Sequence, residues 1–216
     1  MKTVNQKRMK KIAFVGALAL SAFFWSCEKN EDIVANTYKL DETKSVAEWK
    51  GHLRTGYFNE GAITVQSENL TVQDGKVSGG VFTIPVSSIV NYNLPTDSVK
   101  HLLVHHLQSA DFFNMAVHPN ITYTITNVTS YSGTSSGSVS GANYLVNGDL
   151  TMLGKTNAVS FPAKIELNGN ELKAEGTLKV DRTKWGITYA SDPTLPDANF
   201  IQPDIDIHLK LIGSKK

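Results

Sequence analysis

From Tyr38 onward, apolar and polar residues mostly alternate with a period of two, the mark of strands that bury one face. In ITYTITNV, Ile121, Tyr123 and Ile125 share one face, and Thr122, Thr124 and Thr126 the other. AVSFPAKIEL places Val159, Phe161, Ala163, Ile165 and Leu167 together, and the NGN that follows at 168–170 is a strong hairpin turn signal. The return segment ELKAEGTLKV aligns Leu172, Ala174, Leu178 and Val180. Near the C-terminus, DIDIHLKL sets Ile205, Ile207, Leu209 and Leu211 against Asp204, Asp206, His208 and Lys210. LTVQDGKVSGGVFTIPV reads as two strands about an Asp74-Gly75 turn, and SYSGTSSGSVSGAN at 130–143 as a flexible hairpin loop.

The period changes in TDSVKHLLVHHLQSA, residues 96–110, which predicts a helix over roughly 97–110. Thr96 or Asp97 is placed to cap it, and Val99, Leu102, Leu103, His106, Leu107 and Ala110 form one stripe at helical spacing. One helix is too little to cover a large sheet. Antiparallel strands with one apolar face then need a sandwich or a closed barrel, and closure also removes exposed edges. The expectation is a mainly β barrel with one helix inserted at its mouth or side.

The first residues read differently. Lys2, Lys7, Arg8, Lys10 and Lys11 precede the apolar run Ile12–Trp25, with no acid among them. That run is short of the ~20 residues needed to cross a bilayer, so residues 1–26 read as an export signal, with a retained anchor helix as the alternative. Directly behind it stands Cys27, the only cysteine of the chain. Phe24 and Ser26 suit the lipidation cysteine of a bacterial lipoprotein, and Trp25 is bulkier than such signals usually carry. Lipidation would consume a thiol that is otherwise odd in an exported protein, and stable anchoring needs more than one acyl chain. Residues 27–37 read as an acidic tether; Glu28, Lys29, Glu31 and Asp32 suit either a surface-export signal or a solvated linker. The domain itself is expected at 38–212.

Charge narrows the partners. Removing residues 1–26 takes the formal charge from +1 to −4 and leaves 190 of the 216 residues. That argues against nucleic acid, whose recognition needs a basic patch. The sequons at Asn69, Asn120 and Asn127 would matter only in a eukaryotic secretory route.

Candidate chemistry is sparse. His101 and His105 lie one helical turn apart, a spacing that can chelate zinc, but Leu-Leu-Val separates them and no carboxylate or cysteine completes a site; no metal and no catalytic group is assigned. His106 is either a hydrogen-bonded core histidine or a polar group at the edge of a cavity. Of the adjacent Phe112 and Phe113, an extended segment would turn one into the core and the other to a cavity, with simple core packing as the default reading. Asp181 and Arg182 could pair on the surface, and Trp185-Gly186 suggests a large ring where backbone approaches closely. No nucleophile elbow, phosphate loop or cysteine–histidine pair is present.

Several motifs recur in an order that is itself informative: Trp49 and Gly51, Thr55-Gly56, Gly61, DGKVSGGVFTIPVSSI at 74–89, HLQSADFFN at 106–114, HPNITY at 118–123, GDLTMLGKT at 148–156 and DRTKWGI at 181–187. In this series the chain resembles the YceI-like family of bacterial exported proteins that bind polyisoprenoid lipids, over roughly Tyr38–Ile212. It departs from many members at Pro85, where they carry an acidic residue, and at Arg54, where they carry a histidine or other polar group. The resemblance implies a lipocalin-like antiparallel barrel of about eight strands around a long apolar tunnel, a size that can hold one ligand. Tunnel-lining residues are then expected at Trp49, Phe82, Ile84, His106, Leu107, Phe112, Phe113, Ile121, Tyr123, Phe161 and Trp185. The implied function is binding or carriage of a hydrophobic isoprenoid of quinone or polyprenol type, without catalysis and without a resident cofactor. The partners expected are that lipid and, through lipidated Cys27, the outer membrane of a bacterial cell envelope, on its periplasmic face or at the cell surface, with a homodimer as an option. A scaffold or adhesion module without a small ligand is the alternative.

Overall fold

The computed structural model describes residues 35–216. The alternating segments form eleven strands: β1 (Ala35–Leu40), β2 (Val46–Leu53), β3 (Phe58–Thr64), β4 (Leu70–Gln73), β5 (Lys76–Pro85), β6 (Val90–Asn91), β7 (Asn120–Ser130), β8 (Tyr144–Met152), β9 (Lys155–Asn168), β10 (Glu171–Asp181) and β11 (Ile201–Lys215). The helix α1 covers Asp97–Gln108. Every neighbouring pair of strands is antiparallel. The order β1-β4-β5-β7-β8-β9-β10-β11 closes on itself through β1 and β11, giving a barrel of eight strands. The Asp74-Gly75 turn between β4 and β5 has both residues at positive φ (50° and 72°), the two-residue hairpin geometry that an Asp-Gly pair favours.

Two of the eight staves are each made of two strands. β1 and β2 run in the same direction along β11, with Leu40 opposite Gly213 and Val46 opposite Lys210. Ser45 repairs the break between them. It is fully buried, and its hydroxyl donates to the Ile212 carbonyl (3.0 Å) and accepts from the Ile212 N–H (3.1 Å). β3 and β4 likewise share one stave beside β5. Between them, Gln66 and Thr83 exchange main-chain bonds of 2.9 and 2.8 Å, and the Ser67 hydroxyl donates to the Val81 carbonyl at 2.8 Å. The ring closes through β1 and β4; at the other end β2 pairs with β3 and β3 with β6, and the Gln66–Thr83 bridge joins this side to β5. The short β6 pairs with the outer part of β3.

The inward faces follow the period of two. Ile121, Tyr123 and Ile125 of β7, Val159 to Ile165 on alternate positions of β9, and Ile205 to Leu211 on alternate positions of β11 all face the lumen. Two rings lie over glycines of the neighbouring strand. A Cβ at Gly61 would come within 2.8 Å of the Trp49 ring and 1.8 Å of the Val90 carbonyl oxygen, and one at Gly148 within 2.4 Å of the Tyr123 ring. No side chain is tolerated at either place without displacement. At the β1 and β4 end, Leu40, Leu70 and Leu172 pack into a floor with almost no exposure.

The helix differs from its expected packing. Thr96 caps it, its hydroxyl accepting from the Val99 N–H at 3.4 Å. No residue of α1 is buried, however, and the expected stripe is divided. Leu103 and Leu107 face the lumen, Val104 packs on the core, and Val99 and Leu102 point to solvent. The physical reason is that α1 lies over the end of a hollow lumen, which offers only a rim to pack against.

Strand pairing begins inside the stretch read as a tether. Residues 35–37 belong to β1, and the Thr37 carbonyl accepts from the Lys216 N–H at 2.9 Å. Cys27 and the apolar run before it lie outside the described residues. Among the described residues, no helix is long and apolar enough to cross a membrane.

Candidate functional site

The lumen encloses a cavity of about 290 Å³. Its wall is built from the inward side chains of the strands, because closure turns the apolar face of every strand toward one axis. At the floor the wall consists of buried residues such as Leu70, Val77 and Leu172. At the other end it includes Tyr57, in the β2–β3 turn, which is 54% exposed. A wall residue half in solvent marks the mouth. Leu103 and Leu107 of α1 line the same end.

Of the eleven residues expected to line a tunnel, nine stand on this wall: Trp49, Phe82, Ile84, Leu107, Phe112, Phe113, Ile121, Tyr123 and Phe161. Phe112 and Phe113 both reach it, rather than dividing between core and cavity. The segment is a tight turn and not an extended strand: the Phe113 N–H bonds back to Leu107 O (3.0 Å), the Asn114 N–H to Ser109 O (2.7 Å), and Asn114 has φ 45°. His106 and Trp185 are not on the wall. His106 turns outward, with Nε2 3.1 Å from Asp111 Oδ2 and its ring edge-on to Phe112 and Tyr189 (centroids 5.0 and 4.7 Å). Trp185 is buried, and its Nε1 donates to Leu150 O at 2.9 Å, tying its short 3₁₀ turn to β8. Gly186 closes that turn in the left-handed region (φ 93°), so its role there is conformational.

The wall also contains residues that the sequence did not place there, among them Tyr57, Phe58, Asn59, Leu103 and Arg182. The Asp181–Arg182 pair expected on the surface does not form. Arg182 is buried and donates to the carbonyls of Gln202 (3.3 Å), Ile187 (2.8 Å) and Ile201 (3.0 Å). Burial pulls its guanidinium below the ordinary arginine range. Asp181 instead accepts from the Thr183 N–H (3.0 Å) and hydroxyl (2.6 Å). Nothing local in DRT separates a buried arginine from a surface one; only the three carbonyls brought by the 187–202 segment do so.

Other polar wall groups are also engaged. The Tyr123 hydroxyl donates to Val159 O at 3.1 Å, and burial, with Asp149 nearby, pushes its phenol well above the ordinary range. His52 Nε2 lies 3.1 Å from Asp206 Oδ2. Asp206 sits below the usual carboxylate range: burial is the largest single influence and pushes it up, but the hydrogen bonds and charges of Lys179 and His52 together outweigh it. His101 and His105 are exposed on α1, and among the described residues no three potential ligands gather to hold a metal.

Comparison with known proteins agrees with this architecture. A UPF0312 protein of Pectobacterium atrosepticum is 30% identical over 128 residues, covering 54% of this chain and 61% of its own. A second, from Pectobacterium carotovorum, is 32% identical over 116 residues, covering 47% and 56%. The chain thus spans about three fifths of the length of these curated relatives. Among solved structures, BcnA of Burkholderia cenocepacia superposes with a TM-score of 0.59 at 20% identity, covering 80% of this chain and 98% of its own. A polyisoprenoid binding domain from Saccharophagus degradans superposes with a TM-score of 0.56 at 12% identity, covering 84% and 99%. At such identities these likenesses show the fold. The YceI-like domain matches residues 38–212, the span of the closed barrel, and the chain belongs to the YceI-like domain family.

Proposed function

We propose that the protein binds a hydrophobic isoprenoid lipid, of quinone or polyprenol type, with its chain lying in the barrel lumen. The observation that carries this reading is the wall itself, an apolar surface contributed by every stave and continuous from the floor to Tyr57. Its volume of about 290 Å³ sits at the lower bound of ligand pockets, about 300–1,000 Å³. Burying an apolar chain there contributes about 25 cal/mol per Å², before the costs of association. The relative from Saccharophagus degradans is itself a polyisoprenoid binding domain, which supports the same ligand class here. The Arg182 guanidinium and the Tyr123 hydroxyl are held by main-chain carbonyls, which supports a binding role for this wall.

In this reading the chain is an exported lipoprotein. Cys27 carries the acyl chains, residues 28–34 form the tether, and the barrel stands at the outer membrane of the cell envelope with a lipid ligand within reach. Organic extraction of the full-length protein purified from bacterial membranes, followed by mass spectrometry, tests the ligand. The expected result is one isoprenoid lipid per chain. A protein that holds none and takes up no added quinone or polyprenol would sink the reading. Mass analysis of the N-terminal peptide tests the anchor independently, and an unmodified Cys27 thiol would exclude it.

A further inference from the structure

Resting on the reading of the lumen as an apolar-chain site, we propose that Trp49 and Asn59 form its head-group subsite. This subsite takes a neutral hydroxyl head, as on a free prenol or a phenol-type isoprenoid, in preference to a phosphorylated one.

Among the described residues, two buried side-chain polar atoms have no hydrogen-bond partner: the Trp49 Nε1 donor and the Asn59 Oδ1 acceptor. Both residues line the cavity. A buried polar atom left unpaired forfeits its hydration without return, and native proteins hold few of them. Two in one cavity, of complementary type, therefore point to a ligand. The β2–β3 register brings them together. Trp49 lies opposite Gly61 and Asn59 opposite Gly51, so the two are diagonal neighbours on one face. Such neighbours sit about 7–8 Å apart along the strands, a span that two side chains and one small head group bridge. Asn59 adjoins Tyr57 and Phe58 at the mouth, so an amphipathic ligand would place its chain inward and its head at the rim.

The remaining polar groups of the wall leave the choice to these two. Tyr123 is spent on Val159 O, His52 faces Asp206, Glu175 faces His208, the Arg182 donors are held by main-chain carbonyls, and Tyr57 is half in solvent at the mouth. Among the buried side-chain atoms of the described wall, one donor and one acceptor remain without a partner. A hydroxyl satisfies both, because its oxygen accepts from Nε1–H and its proton goes to Oδ1. A hydrocarbon end satisfies neither, and a carbonyl satisfies only Trp49. A phosphate brings negative charge against an acceptor.

The test is a competition on the full-length protein in short-chain phosphatidylcholine micelles. Farnesane, farnesal, farnesol and farnesyl phosphate share a chain and differ in the head, and native mass spectrometry reads their relative occupancy. The wild-type protein is expected to favour farnesol over both farnesane and farnesyl phosphate by roughly tenfold, the cost of leaving a buried partner unpaired. W49F should remove the advantage of farnesol and of farnesal, whereas N59L should remove that of farnesol alone. The wild-type order stands as a test by itself if either variant fails to fold. Equal occupancy of farnesane and farnesol, as when water satisfies both atoms, would overturn the subsite, as would farnesyl phosphate binding as well as farnesol. Either of those results leaves the lumen reading intact. Failure of all four probes to bind would instead strike at the lumen reading itself.

Discussion

At the floor of the barrel, Leu40 and Leu172 flank Gly213 in one cross-strand row, next to Leu70, and all three leucines are no more than 2% exposed. At the mouth, no residue of α1 is buried and Leu102 is 71% exposed. Both ends are made from staves of the same alternating pattern. The floor converts that pattern into a packed core, whereas the mouth holds it open with a helix that rests on a rim. Stability is concentrated where the staves meet side chain to side chain, and access is concentrated where they do not. Trp49 Nε1 and Asn59 Oδ1, the two buried unpaired side-chain atoms among the described residues, belong to β2 and β3, the paired strands at the open end.

Truncating one leucine at each end separates the two regions most strongly. Leu172→Ala should cost about 2–5 kcal/mol by urea unfolding, as buried leucines do. Leu102→Ala should stay within about 0.5 kcal/mol of the parent, as surface changes do. Equal losses would mean that the mouth is as tightly packed as the floor. The next test asks whether the open end has a rigid point. Gly61→Ala would set a methyl group 1.8 Å from the Val90 carbonyl oxygen and 2.8 Å from the Trp49 ring. Overpacking of that kind should cost about 1–3 kcal/mol and shift the Trp49 emission. An unchanged midpoint would show that β6 and Trp49 yield freely. Between the two ends, Ser45→Ala leaves the Ile212 N–H unpaired at the β1–β2 break, while the Ile212 carbonyl keeps the Asp41 N–H at 2.8 Å. A loss of about 1–3 kcal/mol is expected, with faster amide exchange at Ile212; unaltered exchange there would show that the break needs no repair.

The smallest effect is one of pH. Lys44 and the Thr43 hydroxyl hold the Asp41 carboxyl down at about 2, against an ordinary value of 3.8. A carboxyl depressed in the folded state contributes stability that is fully present above 3.8 and lost as pH falls toward 2. Asp41→Asn should therefore lower the unfolding midpoint slightly at neutral pH and not at all near pH 2. An equal difference at both values would assign the effect to something other than ionisation.

Much of the barrel was legible because its signal is local. A strand with one buried face carries its orientation in its own alternation, and the inward sets of β7, β9, β10 and β11 could be read from ITYTITNV, AVSFPAKIEL, ELKAEGTLKV and DIDIHLKL. What escaped was non-local. The division of two staves at Ser45 and Ser67 depends on pairings with Ile212 and Val81, far away in sequence. The stripe on α1 implied one buried face, but burial requires a filled surface beneath it, and the lumen supplies none. Arg182 was read as a surface residue because its carbonyl partners arrive from the 187–202 segment. Trp49 stood out by size. Asn59, in FNEG, gave no signal, since a polar residue in a strand ordinarily faces water, and only closure of the barrel turns this one inward.

An isoprenoid chain that occupies the lumen is excluded when the lumen is filled. Ala163 and Ala174 both line the cavity. A variant carrying Ala163→Phe and Ala174→Phe would place two rings in the path of the chain. Native mass spectrometry after incubation with a polyprenol should show one lipid per wild-type chain and none on the variant, with matching far-ultraviolet circular dichroism to establish that both are folded. Equal lipid on the two proteins would place the ligand outside the barrel and contradict the account.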